Sequence, residues 1–286
     1  MSRGAATLTG AVAVLLWSTL AVLSVGTVPV PPFQLNALAF SLGALVGFAW
    51  MGATGRRLPL ELLGWPVWLH GVLGLFGYHA LYFTALRNAP PAEAGLIAYL
   101  WPLLIVLFSG LLPGERLRAL HLAGAGLGLA GAALLIGGGA AFSGEHAAGY
   151  AAAFGCALVW SGYSVLARRL GHAPTEAVTV FCAATALLSV PAHLWLETTA
   201  WPQGALGWLA VAGLGIGPVG LAFYVWDVGV KRGNIQLLGV MAYAAPLLST
   251  LLLVFAGAAE PTLSLGLAAF LIVGGAGLAA MGSARR

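Results

Sequence analysis

Ten apolar stretches succeed one another along this chain, and the short loops between them hold nearly all of its charge. Most are long enough to cross a hydrocarbon layer, which takes about 20 residues of helix. They run over 7–25, 33–52, 66–86, 92–112, 119–138, 147–167, 175–195, 205–229, 235–256 and 264–282. The basic residues give these crossings a direction. With a cytoplasmic N-terminus, Arg3, Arg56, Arg57, Arg116, Arg118, Arg168, Arg169, Lys231, Arg232, Arg285 and Arg286 all fall on the cytoplasmic side, and only Arg87 falls outside. Cytoplasmic loops carry such an excess of Lys and Arg, so helix count and orientation support each other and both termini are expected in the cytoplasm.

Composition fits an all-α polytopic membrane protein. Hydrophobic residues make up 60% and charged residues 7%, against roughly 25% charged in a soluble domain. The net charge of +4 is spread over many short segments, which argues against a nucleic-acid surface. Ten crossings in 286 residues leave no room for a soluble domain. Cys156 and Cys182 fall inside expected helices and read as small apolar residues. The first stretch, Thr7 to Val25, is longer than the 7–15 residues of a signal-peptide core, and a matching stretch recurs inside the chain.

That recurrence extends through the whole sequence. A shift of 143 to 144 positions sets Leu16-Trp17-Ser18 on Val159-Trp160-Ser161 and Arg87 on Lys231. It also sets Ala98-Tyr99 and Pro102-Leu103-Leu104 on Ala242-Tyr243 and Pro246-Leu247-Leu248, while Glu115 falls beside Glu260 after one inserted residue. The expected units are 1–143 and 144–286, five helices each. Five is odd, so the second unit enters the membrane from the opposite side. Ten transmembrane helices as two inverted five-helix repeats is the architecture of secondary transporters that alternate access about a central site, so transport by alternating access is expected. Pro90-Pro91 suits an entry into the fourth helix, and Gly137-Gly138-Gly139 with Gly144 marks the connector between the units.

Several of these residues carry a resemblance to a known family. Trp-Ser in helices one and six, Tyr82-Phe83-Thr84-Ala85-Leu86 leading to Pro102, Gly114-Glu115, and Gly124, Gly128 and Gly131 resemble the drug/metabolite transporter superfamily in its ten-helix EamA form. Pro246, Glu260 and Gly274-Gly275 are the matching elements of the second half. Two departures stand out: no Gly precedes Glu260, and Asp227 occupies a position that is usually apolar. The resemblance implies an exporter of small amphipathic metabolites in a bacterial inner membrane, with aromatic and other neutral amino acids as cargo, and not an enzyme.

Aromatic residues are the first candidates for a substrate site. Tyr78 and Tyr82 lie four apart on one face of helix three with His79 beside them, and Tyr99 and Trp101 precede Pro102 on helix four. Trp160 and Tyr163 share a face of helix six, Trp17 mirrors Trp160, and Tyr243 mirrors Tyr99. Tyr and Trp ordinarily favour the membrane interfaces; polar atoms on mid-helix rings want partners, which points to a cavity or to core packing. Helices one, three, four, six, eight and nine are expected to line the path, and five and ten to brace it. His79 is expected to supply a hydrogen bond to the cargo, for example to its carboxylate.

Pro102 and Pro246 are expected to act as hinges and to free the carbonyls of Ala98 and Ala242. Glu176 is expected to complement the start of helix seven, and Asp227 to pair with Lys231 four residues on. No carboxylate is expected at the bilayer centre, where proton-coupled carriers usually hold one. This favours a facilitator, with a proton-coupled drug or metabolite exporter using His79 and Asp227 as the alternative. The Gly positions of helices five and ten permit close packing, either within one chain or across a homodimer seam, so monomer and homodimer both stay open.

Other classes find less support. A lipid-linked transferase needs clustered His, Asp or Glu or a Cys nucleophile near the interface, and none converge. Lys231, at a helix end, is the only lysine, which removes a mid-membrane retinal Schiff base. No nucleotide-binding glycine loop occurs, and no cofactor or metal is expected. Partners reduce to the lipid bilayer and a small-molecule substrate.

Overall fold

The computed structural model describes residues 1–286 apart from Pro59, Leu60, Leu62, Gly138, Gly139, Ala256, Ala258, Ala259, Arg285 and Arg286. Gly138 and Gly139 of the expected connector and the Arg285-Arg286 pair thus lie outside the described residues. Among the described residues ten helices form: α1 (Arg3–Gly26), α2 (Pro32–Thr54), α3 (65–88), α4 (Pro91–Ser109), α5 (Ala119–Ile136), α6 (Ala147–Arg169), α7 (Ala177–Leu196), α8 (Gly204–Arg232), α9 (Ile235–Phe255) and α10 (Leu263–Ala284). Among the described residues, all but α3 are apolar enough over their length to cross a membrane unaided. The second part of α3 carries Tyr78, His79, Tyr82, Thr84, Arg87 and Asn88.

The repeat appears in the packing. The helices pair as α1 with α8, α3 with α6, α2 with α7, α4 with α9 and α5 with α10. Exchanging the two five-helix units turns the first pair into the second and returns the other three to themselves, which is a pseudo-two-fold arrangement. Irregularities obey the same relation. One π-turn, Leu73–Gly77, interrupts α3 and another, Gly217–Leu221, interrupts α8, 144 residues later.

Two helices expected to be continuous are broken. In α4 the helix stops at Ala98 and restarts at Trp101; in α9 it stops at Met241 and restarts at Ala244. Pro102 and Pro246 thereby sit in the first turns of new segments, where a backbone N–H has no intrahelical acceptor and its loss costs little. The Ala242 carbonyl is consequently not freed, because the Ala245 N–H donates to it at 3.1 Å. Apolar surroundings leave no water for the broken backbone, and at the first break a side chain substitutes: the Leu103 N–H donates to the Tyr243 hydroxyl at 3.0 Å. Tyr243 is fully buried and fastens α9 to the restart of α4.

Glycine sets the closest approaches. A Cβ on Gly124 would fall 2.5 Å from the Gly275 carbonyl oxygen, and one on Gly275 would fall 2.5 Å from that of Gly124. These glycines therefore join α5 to α10 within one chain, as small residues do where backbones meet. Gly274 and Gly277 face open space. At the other pair, a Cβ on Gly10 of α1 would fall 2.8 Å from the Gly229 Cα of α8.

The helix ends are tied by polar groups. Asp227 meets Lys231 at 2.9 Å and accepts from the Thr175 hydroxyl at 2.7 Å. Glu176 makes no side-chain bond to the α7 terminus; it pairs instead with Arg56 at 2.8 Å. At the opposite end the Glu197 carboxylate accepts from the Phe33 and Gln34 N–H groups that open α2, and it pairs with Arg87 at 3.0 Å.

Two outcomes follow for stability in detergent. Gly275→Leu should lower the melting temperature by the equivalent of about 1–3 kcal/mol of overpacking, whereas Gly274→Leu should leave it unchanged. Tyr243→Phe, which leaves the Leu103 N–H unsatisfied, should cost about 1–3 kcal/mol; Tyr99→Phe in the same melting assay serves as the control and should melt like the parent.

Candidate functional site

Four tryptophans meet where α1, α4, α6 and α8 cross. Ring centroids lie 6.0 Å apart for Trp17 and Trp101, 5.8 Å for Trp17 and Trp160, and 5.0 Å for Trp17 and Trp226. Trp101 stands edge-on to Trp226 at 6.0 Å, and Trp160 lies nearly parallel to Trp226 at 6.4 Å. Edge-to-face and offset geometries of this kind are the favoured ones for aromatic pairs, worth about 0.5–1.5 kcal/mol each. Trp101, Trp160 and Trp226 are buried, while Trp17 is half-buried. Two indoles are anchored by their N–H groups: Trp17 donates to the Pro218 carbonyl in the α8 π-turn at 3.1 Å, and Trp226 donates to Ser164 Oγ at 3.0 Å.

Around this floor stand half-buried walls. Tyr78 lies 5.3 Å from Trp160 and stacks parallel to Tyr82 at 6.2 Å. Tyr99 lies 6.3 Å from Trp101. His79 stands edge-on to Phe40 at 5.0 Å and neighbours Phe223 at 6.4 Å. Trp17, Tyr78, His79, Tyr82 and Tyr99 are all partly accessible, and these five come together with the buried rings of Trp101 and Trp160.

The chemistry of His79 differs from expectation. Its Nδ1 lies 2.7 Å from the Leu75 carbonyl oxygen in the π-turn of α3. A carbonyl only accepts, so Nδ1 carries the proton, and in the neutral ring Nε2 is left as an acceptor. It therefore suits an ammonium or hydroxyl donor, whereas a carboxylate would require the imidazolium. The other expected residues stand differently. Tyr163 is buried between Trp160 at 5.1 Å and His70 at 4.6 Å, and its hydroxyl has no hydrogen-bond partner among the described residues. Tyr243 adjoins Tyr99 at 6.4 Å from a fully buried position and serves the scaffold, and Asp227 is occupied near a helix end by Lys231 and Thr175.

Trp226, Phe223, Phe40 and His70 were not among the expected residues. Two of them were reachable from the repeat: a shift of 144 carries His79 onto Phe223 and Tyr82 onto Trp226. Phe40 and His70 have no such signal, since Leu and other apolar residues surround them in sequence. His79 is thus not the only half-buried histidine on α3, although His70 lies nearer the end of the helix.

The matched segments on either side of the tryptophans are packed unequally. The second segment of α1, Leu20–Gly26, has no buried residue. A shift of 143 matches it to 163–169 of α6, where Tyr163, Ser164, Val165 and Ala167 are buried. The α6 segment leading to the end that bears Arg3, Arg168 and Lys231 is therefore packed, and its α1 counterpart, leading to the end that bears Arg87, is not.

Known proteins agree with this architecture. The EamA-like transporter family matches residues 4–137 and again 147–281, one match per five-helix unit. A protein of Ancylobacter novellus named as an aromatic amino acid exporter, YddG, is 58% identical over 284 residues, covering 98% of this chain and 99% of its own. Exporters of the same name from Salmonella typhimurium and Escherichia coli are 28% and 27% identical, over 88% and 96% of this chain and equal shares of their own. A solved crystal structure superposes with a TM-score of 0.94 at 58% identity, over 98% of both chains. A ten-helix, twice-repeated, multi-pass membrane protein with both halves matched in this way belongs to the EamA-like transporter family.

Proposed function

We propose that this transporter exports aromatic and other neutral amino acids across a bacterial inner membrane, with its arginine-rich end in the cytoplasm. The observation that carries the reading is the four-tryptophan floor with tyrosine walls, a chamber shaped and polarised for flat rings. The name shared by the relatives supports the same cargo. Burying about 200 Å² of indole at roughly 25 cal/mol/Å² supplies about 5 kcal/mol before the costs of association are met. Such a balance favours rapid exchange over tight capture, as a carrier requires.

In this reading Tyr78, Tyr82, Tyr99, Trp17, Trp101 and Trp160 supply stacking surfaces, and neutral His79 accepts from the cargo's ammonium through Nε2. Pro102 and Pro246, each just beyond a helix break, permit the halves of α4 and α9 to reorient. Every described carboxylate lies at a helix end or in a loop, so the movement is driven by the cargo's own gradient. The monomer is sufficient for this cycle, because the chamber is built from one chain and the α5–α10 glycines are used internally.

Counterflow into liposomes preloaded with unlabelled tryptophan, phenylalanine or threonine tests the reading. Tracer should accumulate equally with and without a pH gradient. Tyr78→Ala and Tyr99→Ala should each reduce the initial rate at least tenfold with unchanged melting temperature, and unchanged rates in both would remove these residues from the site. Accumulation that follows the pH gradient would establish the proton-coupled alternative, and absence of uptake would exclude this cargo.

A further inference from the structure

The two ends of the molecule are held by different chemistry, and one residue accounts for most of the difference. Arg168, at the end of α6, donates from Nε to the Val230 carbonyl at 2.7 Å and from Nη2 to the Gly233 carbonyl. Its Nη1 donates to the Glu115 carboxylate, which also holds Arg3 of α1 at 2.7 Å. Val230 and Gly233 belong to the end of α8. One guanidinium thus binds the α3–α6 pair to the α1–α8 pair, with Glu115 from the loop after α4 as the common anion. Beside it the Asn234 N–H donates to Thr7 Oγ1 at 2.8 Å, joining the ends of α8 and α1. The Glu115 side chain is 6% exposed and that of Arg168 17%, so water screens this contact less than a surface pair, and Arg is suited to such multidentate binding.

The repeat-related position has no equivalent group. A shift of 143 sets Val25 on Arg168, and Val25 is 74% exposed. Val22 and Val165, which also match, are 42% and 6% exposed. Because the two units are built alike, each can adopt the conformation the other shows, and the exchange would uncover the end of α6 while covering the second segment of α1. The Arg168 contacts exist in only one of those arrangements.

We propose that Arg168 is the latch of the arginine-rich gate: its bonds to Glu115, Val230 and Gly233 hold that end shut, and their release is the step that opens the chamber to it. This rests on the alternating-access reading of the transporter but not on the identity of its cargo. Loss of the latch removes interactions from one state only, so the population shifts toward the other.

The test uses the two matched valines as reporters in full-length protein, in liposomes of determined orientation, with Cys156 and Cys182, both buried, replaced by Ala. Labelling of Val165→Cys by a membrane-impermeant maleimide is followed from the arginine-rich side, and that of Val22→Cys from the opposite side, with no substrate present. Arg168→Gln should speed labelling at position 165 at least tenfold and slow it at position 22. Glu115→Gln, which keeps a hydrogen-bonding group but loses the charge, should shift both in the same directions by less. Unchanged labelling at 165 in both variants would overturn the proposal, as would acceleration at both reporters together, which marks local loosening. Because no cargo is added, failure of amino-acid counterflow would leave this result readable, and the reverse also holds.

Discussion

A backbone surrounded by lipid must satisfy its own hydrogen bonds, and this one is interrupted at four places near its centre. The π-turns of α3 and α8 and the breaks of α4 and α9 would each be costly if left open. Side chains repair three of them. His79 engages the Leu75 carbonyl, Trp17 donates to Pro218 and Tyr243 receives the Leu103 N–H. The repairs fix where the rings lie, so the same interactions that keep the helices tolerable in a membrane also build the chamber. Irregular backbone at membrane depth is confined to places where it is buried in protein or lines a cavity, and here it meets the tryptophan floor.

Regular helices elsewhere supply the rigidity that such a centre lacks. The α5–α10 pair is joined backbone to backbone at Gly124 and Gly275. The α2–α7 pair is fastened at both ends, by Arg56 and Glu176 at one, and by buried Asn36 and Ser189 at 2.8 Å with Glu197 on the α2 terminus at the other. These two pairs return to themselves under the pseudo-symmetry. The pairs that exchange with each other, α1–α8 and α3–α6, carry most of the aromatic site. The α5–α10 and α2–α7 pairs are thus placed as a frame, while the aromatic cluster falls on the exchanging pairs and on α4.

Much of this was legible in the residues. Apolar length and the spacing of arginines gave ten helices, and the 143–144 shift gave the repeat, because both depend on local composition that a membrane constrains strictly. Asp227 with Lys231 followed from an i, i+4 spacing. The interruptions were not legible in the same way. A π-turn replaces one hydrogen-bond register with another and leaves hydropathy untouched, so Leu73–Gly77 reads like any apolar run. Pro102 suggested a kink with a free carbonyl, whereas the chain ends one helix and starts another, a choice set by Tyr243 from 140 residues away. Trp226 and Phe223 were within reach through the repeat; Phe40 reaches the site only because α2 packs against its neighbours in three dimensions.

The asymmetry between the gates has its origin in the loops and not in the core. Membrane insertion favours Arg and Lys on one side, so the equivalent ends of an inverted repeat come to differ in charge. The α6 segment ends in Arg168, and its mate in α1 ends in Val25. With Lys231 and Arg87 the sequence match persists across the inversion, yet their partners differ: Lys231 binds Asp227 on its own helix, and Arg87 reaches across to Glu197. A duplicated fold with equal helices thus arrives at unequal ends: Arg168 bridges the two exchanging pairs at one, and among the described residues no matching group does so at the other. Such a guanidinium contact is directional and is lost once the side chain turns away. On the proposal that Arg168 is the latch, an empty carrier rests with its charged end shut, and cargo has to supply the difference by favouring the exchanged packing of α1 and α6.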